Sequence, residues 1–344
     1  MSSSITRRGA IALGALLLGA SHTARAESDA MLAAARGEGS VTWYTAHTDG
    51  ETAEAVGRGF TARYPGIKVT AIRTTAQVAY ERLLNDLKNS VAQCDVFSST
   101  DIGHYLTLKA KGALAHYVPE AATQVSPEFQ GLDPDGFYYP TAAGTVLITY
   151  NTKLLKAEDA PKNWPDLLDP KWRNKVSVGH PAFSGYVGNW VLAMRKLYGW
   201  EYFDKLEKNR PQIGRSVNDT VTMLNAGERT VAAGPGGTTL ASMDKGNPLA
   251  LVYPTDGALL MVSPSAVLAN APRPNAARLF MEFLLSEDAA RIAVKFRGES
   301  LRPEVKPLAG AIPLNEVKLI RLTPAEILTG IPEVIEQWRD TFGS

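Results

Sequence analysis

A single cysteine, Cys94, stands in a chain of 344 residues, so no intramolecular disulfide can form. Followed by Asp95-Val96-Phe97, it reads as a small packed residue at a strand start rather than a nucleophile. Histidine is scarce too. Five residues lie scattered, with no pair at metal-ligand spacing, which argues against a zinc site. Neither sign of charge dominates: the formal net charge is +1, and nothing resembles a basic nucleic-acid footprint. Beyond the first 26 residues no apolar run reaches the ~18 residues that span a bilayer. Internal repeats and low-complexity linkers are lacking. So are a Gly-x-Ser-x-Gly elbow, a His-Glu-x-x-His pair and a P-loop. Phe183-Ser184-Gly185 is without the leading glycine of the elbow, and no His is placed to serve Ser184 as a base. The sequence therefore predicts no enzyme, no cofactor and no metal.

What is present begins with an export address. Arg7 and Arg8 precede an apolar run from Ala10 to Ala20, and Ala24-Arg25-Ala26 forms a small-x-small cleavage site. This is a secretory signal, too short for a transmembrane helix. The paired arginines resemble a twin-arginine signal, although an ordinary secretory signal with a basic start accommodates them as well. Cleavage near Ala26 removes three arginines and no acid, taking the formal charge from +1 to −2. The remaining length suits about two domains or two lobes. With 45% hydrophobic and 21% charged residues, the composition is that of an ordinary globular protein.

Strand and helix patterns then alternate. Ser40–Thr45 reads as a strand, Glu51–Tyr64 as a helix ending at Pro65-Gly66, and Ile67–Ile72 as a second strand. Thr74-Thr75 open a helix carrying Ala79, Leu83, Leu84 and Leu87, and Asp95–Ser98 is a third strand. Later strands fall at Thr145–Tyr150, Val176–Val178, Thr230–Ala233, Leu249–Tyr253 and Leu259–Val267. A long helix follows Ser184, a short one covers Thr220–Ala226, and two more cover Ala276–Leu285 and Ala289–Phe296. Single helices between short strands predict parallel α/β sheets.

Several segments carry a family resemblance. They are Val41–His47, Asp95–Ser99, Tyr150-Asn151-Thr152, Pro254–Gly257, Asn270–Ala277 and Phe283–Ser286. In order and spacing they resemble the periplasmic solute-binding proteins of ABC importers, most nearly the ferric-iron-binding branch. The resemblance implies a type II periplasmic-binding-protein fold. Its two lobes are mostly parallel sheets flanked by helices and joined by two crossover strands, here expected near Tyr139–Tyr150 and Val252–Leu260. The implied division is 1–26 signal peptide, 27–140 first lobe, 141–258 second lobe, and 259–344 returning to the first lobe. It also implies a periplasmic monomer that hands a small solute to an inner-membrane permease with its ATPase. Iron-binding members hold Fe(III) with a His after the first strand, often a Glu after the third, and two adjacent tyrosines in the second lobe. Here His47 matches the first, but Thr100 stands where the Glu would be, and Gly234–Thr239 contains no tyrosine. Fe(III) wants anionic oxygen, so a ferric ligand is the alternative reading rather than the first. An exported sensor or hydrolase is a further one.

The expected solute is a small organic anion: a phosphonate, sugar phosphate or carboxylate. Ligands of open α/β sheets sit where strands end and helices begin. The candidates there are Thr45, His47, Thr48, Thr75, Ser98, Ser99, Thr100, Thr145, Ser184, Gly185, Tyr186, Asn218, Gly237, Thr238 and Asp256. Their ordinary role would be helix capping or turn formation. Arg73, Arg215 and Arg302 are weaker candidates as charge partners.

Overall fold

The computed structural model describes residues 29–343; the expected signal peptide lies outside them. After helix α1 (residues 29–38), strand β1 (Ser40–Thr45) enters the core. Its side chains alternate between two faces. Val41 and Trp43 pack with Phe60, Phe280 and Phe283, whereas Tyr44 packs with Ala79, Leu83 and Phe97. Helix α2 (Gly50–Arg63) starts where Asp49 accepts from the Thr52 amide, and it returns the chain to β2 (Lys68–Arg73), parallel to β1. Helix α3 (Ala76–Lys88) leads to β3 (Val96–Ser98) on the other edge of β1, again parallel, and α4 (Ile102–Ala110) follows. Asp95 fastens this half. Its buried carboxylate accepts the Thr42 amide at 2.7 Å and the Arg273 amide at 2.9 Å. Cys94 beside it is buried, and burial raises its thiol pKa, which leaves it a packing residue.

Strand β4 (Tyr139–Asn151) carries the chain into the second half. There β5 (Val176–Val178), α5 (Gly185–Tyr198), α6 (Glu201–Lys208) and β6 (Gln212–Ile213) precede α7 (Asp219–Asn225), β7 (Val231–Pro235), α8 (Gly236–Asp244) and β8 (Leu249–Val252). The core of this half gathers Trp164, Trp190 and Phe203. Strand β9 (Ala258–Val267) leads back, followed by α9 (Pro274–Leu284), α10 (Glu287–Lys295), β10 (Leu319–Ile320) and α11 (Pro324–Phe342).

The strands form one path, β2-β1-β3-β9-β4-β7-β5-β6, with β8 beside β4 and β10 beside β9. From Tyr139 to Val146, β4 pairs antiparallel with β9; its remainder runs between β7 and β8. The far end of β9 pairs with β3. These two long strands are the crossovers. The stretch expected as one crossing near Val252–Leu260 is split: β8 ends at Val252, and a turn closed by the Gly257 amide on the Pro254 carbonyl precedes β9. Gly257 has a φ of +127°, which favours glycine.

Helices α9 and α10 pack on the first half, where Phe280 and Phe283 lie 5.1 and 5.6 Å from Phe60. Helix α11, expected with them, behaves differently. Trp338 stacks edge-on to Phe203 at 5.8 Å, and Ile331 packs against Gly188 of α5 while α11 also touches α4. It therefore spans the two halves.

Candidate functional site

Strand ends from both halves converge on one cleft. The cavity there holds about 170 Å³, below the ~300–1,000 Å³ of drug-sized ligand sites. The crossing strand β4 supplies Thr141 to Thr145 to its lining. The first half adds His47 and Thr48 after β1, Arg73 at the end of β2 with Thr75 beyond it, and Thr100 after β3. The second half adds Ser184 and Tyr186 at α5, Asn218 before α7, and Gly237 and Thr238 in the first turn of α8. The stretch from α10 onward contributes Ser286, Phe296, Glu299 and Arg302.

Ten of the fifteen candidates thus meet in the cavity: His47, Thr48, Thr75, Thr100, Thr145, Ser184, Tyr186, Asn218, Gly237 and Thr238. Three of them, Thr75, Ser184 and Asn218, hold helix-capping positions without capping. Thr75 and Ser184 precede α3 and α5, yet neither side chain bonds its helix. The Thr75 hydroxyl is buried and has no partner among the described residues. His47 Nδ1 is in the same condition, and burial lowers the imidazole pKa to about 4. The ring is neutral at pH 7, offering a hydrogen bond but no charge. The Thr238 hydroxyl donates to Asn218 Oδ1 at 3.1 Å.

The other five candidates do not line the cavity. Thr45 is fully buried at the end of β1. Ser98 accepts from Trp43 Nε1 at 2.7 Å and meets Ser265 Oγ at 2.5 Å, inside the protein. Ser99 bonds His104 Nδ1 at 2.9 Å and accepts the Asp101 amide. Gly185 is a contact between halves: a Cβ there would lie 2.5 Å from the Thr100 carbonyl oxygen. Asp256 accepts the Trp164 amide at 2.9 Å and the Tyr198 hydroxyl at 2.5 Å, away from the cavity. Ser98→Ala is accordingly expected to cost about 1–3 kcal/mol, because Trp43 Nε1 is left buried without an acceptor. Solute affinity should stay within about twofold. Urea unfolding and calorimetry check the pair of effects, and a large affinity loss at full stability would return Ser98 to the site.

Of the three arginines, Arg73 lines the cavity, exposed, with Nε donating to the Thr48 carbonyl at 3.0 Å. Arg302 is held by Glu304, Gln124 and the Leu285 carbonyl. Arg215 lies over the Phe183 ring at 5.0 Å. Tyr138 packs on Tyr105 at 5.2 Å in the core of the first half. Sequence reasoning missed Glu299. It follows α10 in an irregular stretch, between Gly298 and Ser300, where no motif distinguishes it. Burial raises its carboxyl pKa to about 7. Among the described residues, no group of three or more His, Cys, Asp or Glu side chains is placed to hold a metal ion.

The halves also touch across the cleft at α8. Gly237 packs against the Arg297 carbonyl, where a Cβ would lie 2.5 Å from the oxygen. Arg297 grips Asp244 of α8 through two bonds of 2.6 Å.

A periplasmic protein of Salmonella paratyphi A, provisionally described as 2-aminoethylphosphonate-binding, is 26% identical over 284 residues, covering 78% of this chain and 77% of the relative. The structure of the periplasmic binding protein AfuA from Actinobacillus pleuropneumoniae, with fructose-6-phosphate bound, superposes with a TM-score of 0.80 at 22% identity over 88% of this chain and 98% of that one. Iron-bound HitA from Pseudomonas aeruginosa gives 0.75 at 24% identity over 88% and 99%. These likenesses identify the fold as that of type II periplasmic binding proteins. The family model of bacterial extracellular solute-binding proteins matches residues 93–311, well over half of the chain, and the chain belongs to that family, the solute-binding components of ABC transporters.

Proposed function

We propose that the protein, exported with cleavage near Ala26, captures a small organic anion between its lobes and delivers it as a monomer to its permease and ATPase. The lobes divide as 27–140, 141–258 and 259–344, with α11 bridging them. The solute carries a phosphonate, phosphate ester or carboxylate group. One observation carries this reading: the first turns of α3, α5 and α8 open into a single cavity, and the Thr75 and Ser184 hydroxyls there bond neither helix. Helix N-termini offer free amides and a positive dipole end, so such a cavity favours oxyanions. Arg73 adds a cation at the lining. The solutes in the names of the Salmonella and Actinobacillus relatives, a phosphonate and a sugar phosphate, have this chemistry. The missing tyrosine pair and Thr100, where iron-binding members often place a Glu, leave too little anionic oxygen for Fe(III), the solute of the iron-binding relatives.

The test is thermal unfolding and calorimetry against phosphonates, sugar phosphates, carboxylates and Fe(III). A cognate anion at 100 times its Kd stabilises by about 2.7 kcal/mol. A response to Fe(III) with none to any anion would overturn the reading.

A further inference from the structure

The cavity reserved for an anion contains a carboxylate of its own. Glu299 lines it, and its backbone bridges to Ala143 on the crossing strand β4. Among the described residues no group donates a hydrogen bond to this carboxylate, and burial alone acts on its ionisation. The arginines nearest along the chain are engaged elsewhere. Arg297 is held by Asp244 and by the Ala309 carbonyl at 2.6 Å, and Arg302 by Glu304, Gln124 and the Leu285 carbonyl. The charge of Glu299 is felt instead by Tyr186, whose pKa it raises further beyond the effect of burial.

A solute that is only an anion would face this carboxylate across a water-poor cavity, and like charges there repel strongly. A hydroxyl on the solute would satisfy the lone pairs of Glu299 without cancelling its charge. An ammonium does both. The lining also provides the rings of Tyr186 and Phe296, and aromatic rings favour a cation over their faces. We infer that the solute is a zwitterion whose ammonium is received by Glu299, beside Tyr186, while its oxyanion meets the helix N-termini. The inference rests on the cavity being an oxyanion site, and it makes Glu299 the residue that selects amine-bearing anions from plain ones.

Calorimetry at pH 8 on the mature protein and on Glu299→Gln tests it, with 2-aminoethylphosphonate, ethylphosphonate and fructose 6-phosphate as probes. The wild type should bind the amine compound about 30-fold or more tighter than ethylphosphonate. In Glu299→Gln this advantage should shrink to within about threefold, and ethylphosphonate should bind more tightly than it does to the wild type. A thermal midpoint for the variant at or above that of the wild type excludes misfolding as the cause. Equal wild-type affinities for the two phosphonates overturn the inference and leave the oxyanion site standing. So does an amine advantage that survives in the variant, or tighter binding of fructose 6-phosphate than of the amine compound. If none of the three anions binds, the oxyanion site falls and the zwitterion with it.

Discussion

Gly185→Ala and Gly237→Ala each weaken solute binding by about 100-fold, while the unliganded protein stays as stable as the wild type or gains slightly. Both glycines sit in the first turn of a second-lobe helix and touch first-lobe backbone. A methyl group on Gly185 would lie 2.5 Å from the Thr100 oxygen, and one on Gly237 2.5 Å from the Arg297 oxygen. A flexible side chain would yield to such a contact, but a carbonyl held within its own lobe does not. The cost of overpacking therefore falls near the top of its usual ~1–3 kcal/mol range. It falls only on the state in which the lobes meet. The open protein escapes it by rotation about β4 and β9, and Ala favours the helix by up to about 1 kcal/mol over Gly. A ligand that must be gripped from both sides loses affinity as the fraction of closed molecules drops. Calorimetry with whichever anion the solute panel selects, and small-angle scattering with and without it, read the two halves of this claim. An affinity within twofold of wild type, or compaction by the solute as large as in the wild type, would defeat it.

The same two glycines mark what the sequence reveals and what it hides. The strand–helix alternation from Ser40 to Ser98 was legible because each element carries its own period and its own stop signal. The β1 side chains alternate between two aromatic clusters, and Pro65-Gly66 ends α2. Helix α8 was not, because it opens on Gly236 and Gly237, which propensity assigns to a loop. Close approach overrides propensity there, since Gly236 lies against the Thr145 hydroxyl and Gly237 against the other lobe. Nor does anything in Pro324–Phe342 say which half α11 joins, a matter settled by the packing of Ile331 and Trp338. Ten of the strand-end candidates line the cavity. Ser98, Ser99 and Asp256 stand at equally good positions but spend their polar atoms on Trp43, His104 and Trp164. That distinction lies in side-chain partners far apart in sequence, out of reach of a local pattern.

Two cavity groups tilt stability in opposite directions with pH, and variants separate them. The Glu299 carboxyl is raised from its ordinary 4.5 to about 7 in the folded protein. The native state thus holds this proton more tightly than the unfolded chain does. The stability it contributes is complete below pH 4.5 and is lost as pH rises through 7. With about 1.36 kcal/mol for each pH unit of separation, the loss amounts to about 3 kcal/mol. Glu299→Gln should therefore match the wild type below pH 4.5 and exceed it by that amount at pH 8. His47 runs the other way, lowered from 6.5 to about 4 by burial. Its contribution is complete above pH 6.5 and disappears as pH falls through 4, again by about 3 kcal/mol. His47→Gln should gain on the wild type by this much between pH 7 and pH 4. Between pH 4.5 and 6.5 the two slopes oppose each other, so the wild-type curve alone conceals both. Urea unfolding of the unliganded wild type and the two variants at half-unit steps from pH 4 to 8 resolves them. Curves for the variants that run parallel to the wild type would show that neither side chain is desolvated in the unliganded protein. The cavity would then be open to bulk water when empty, and closure alone would dehydrate it.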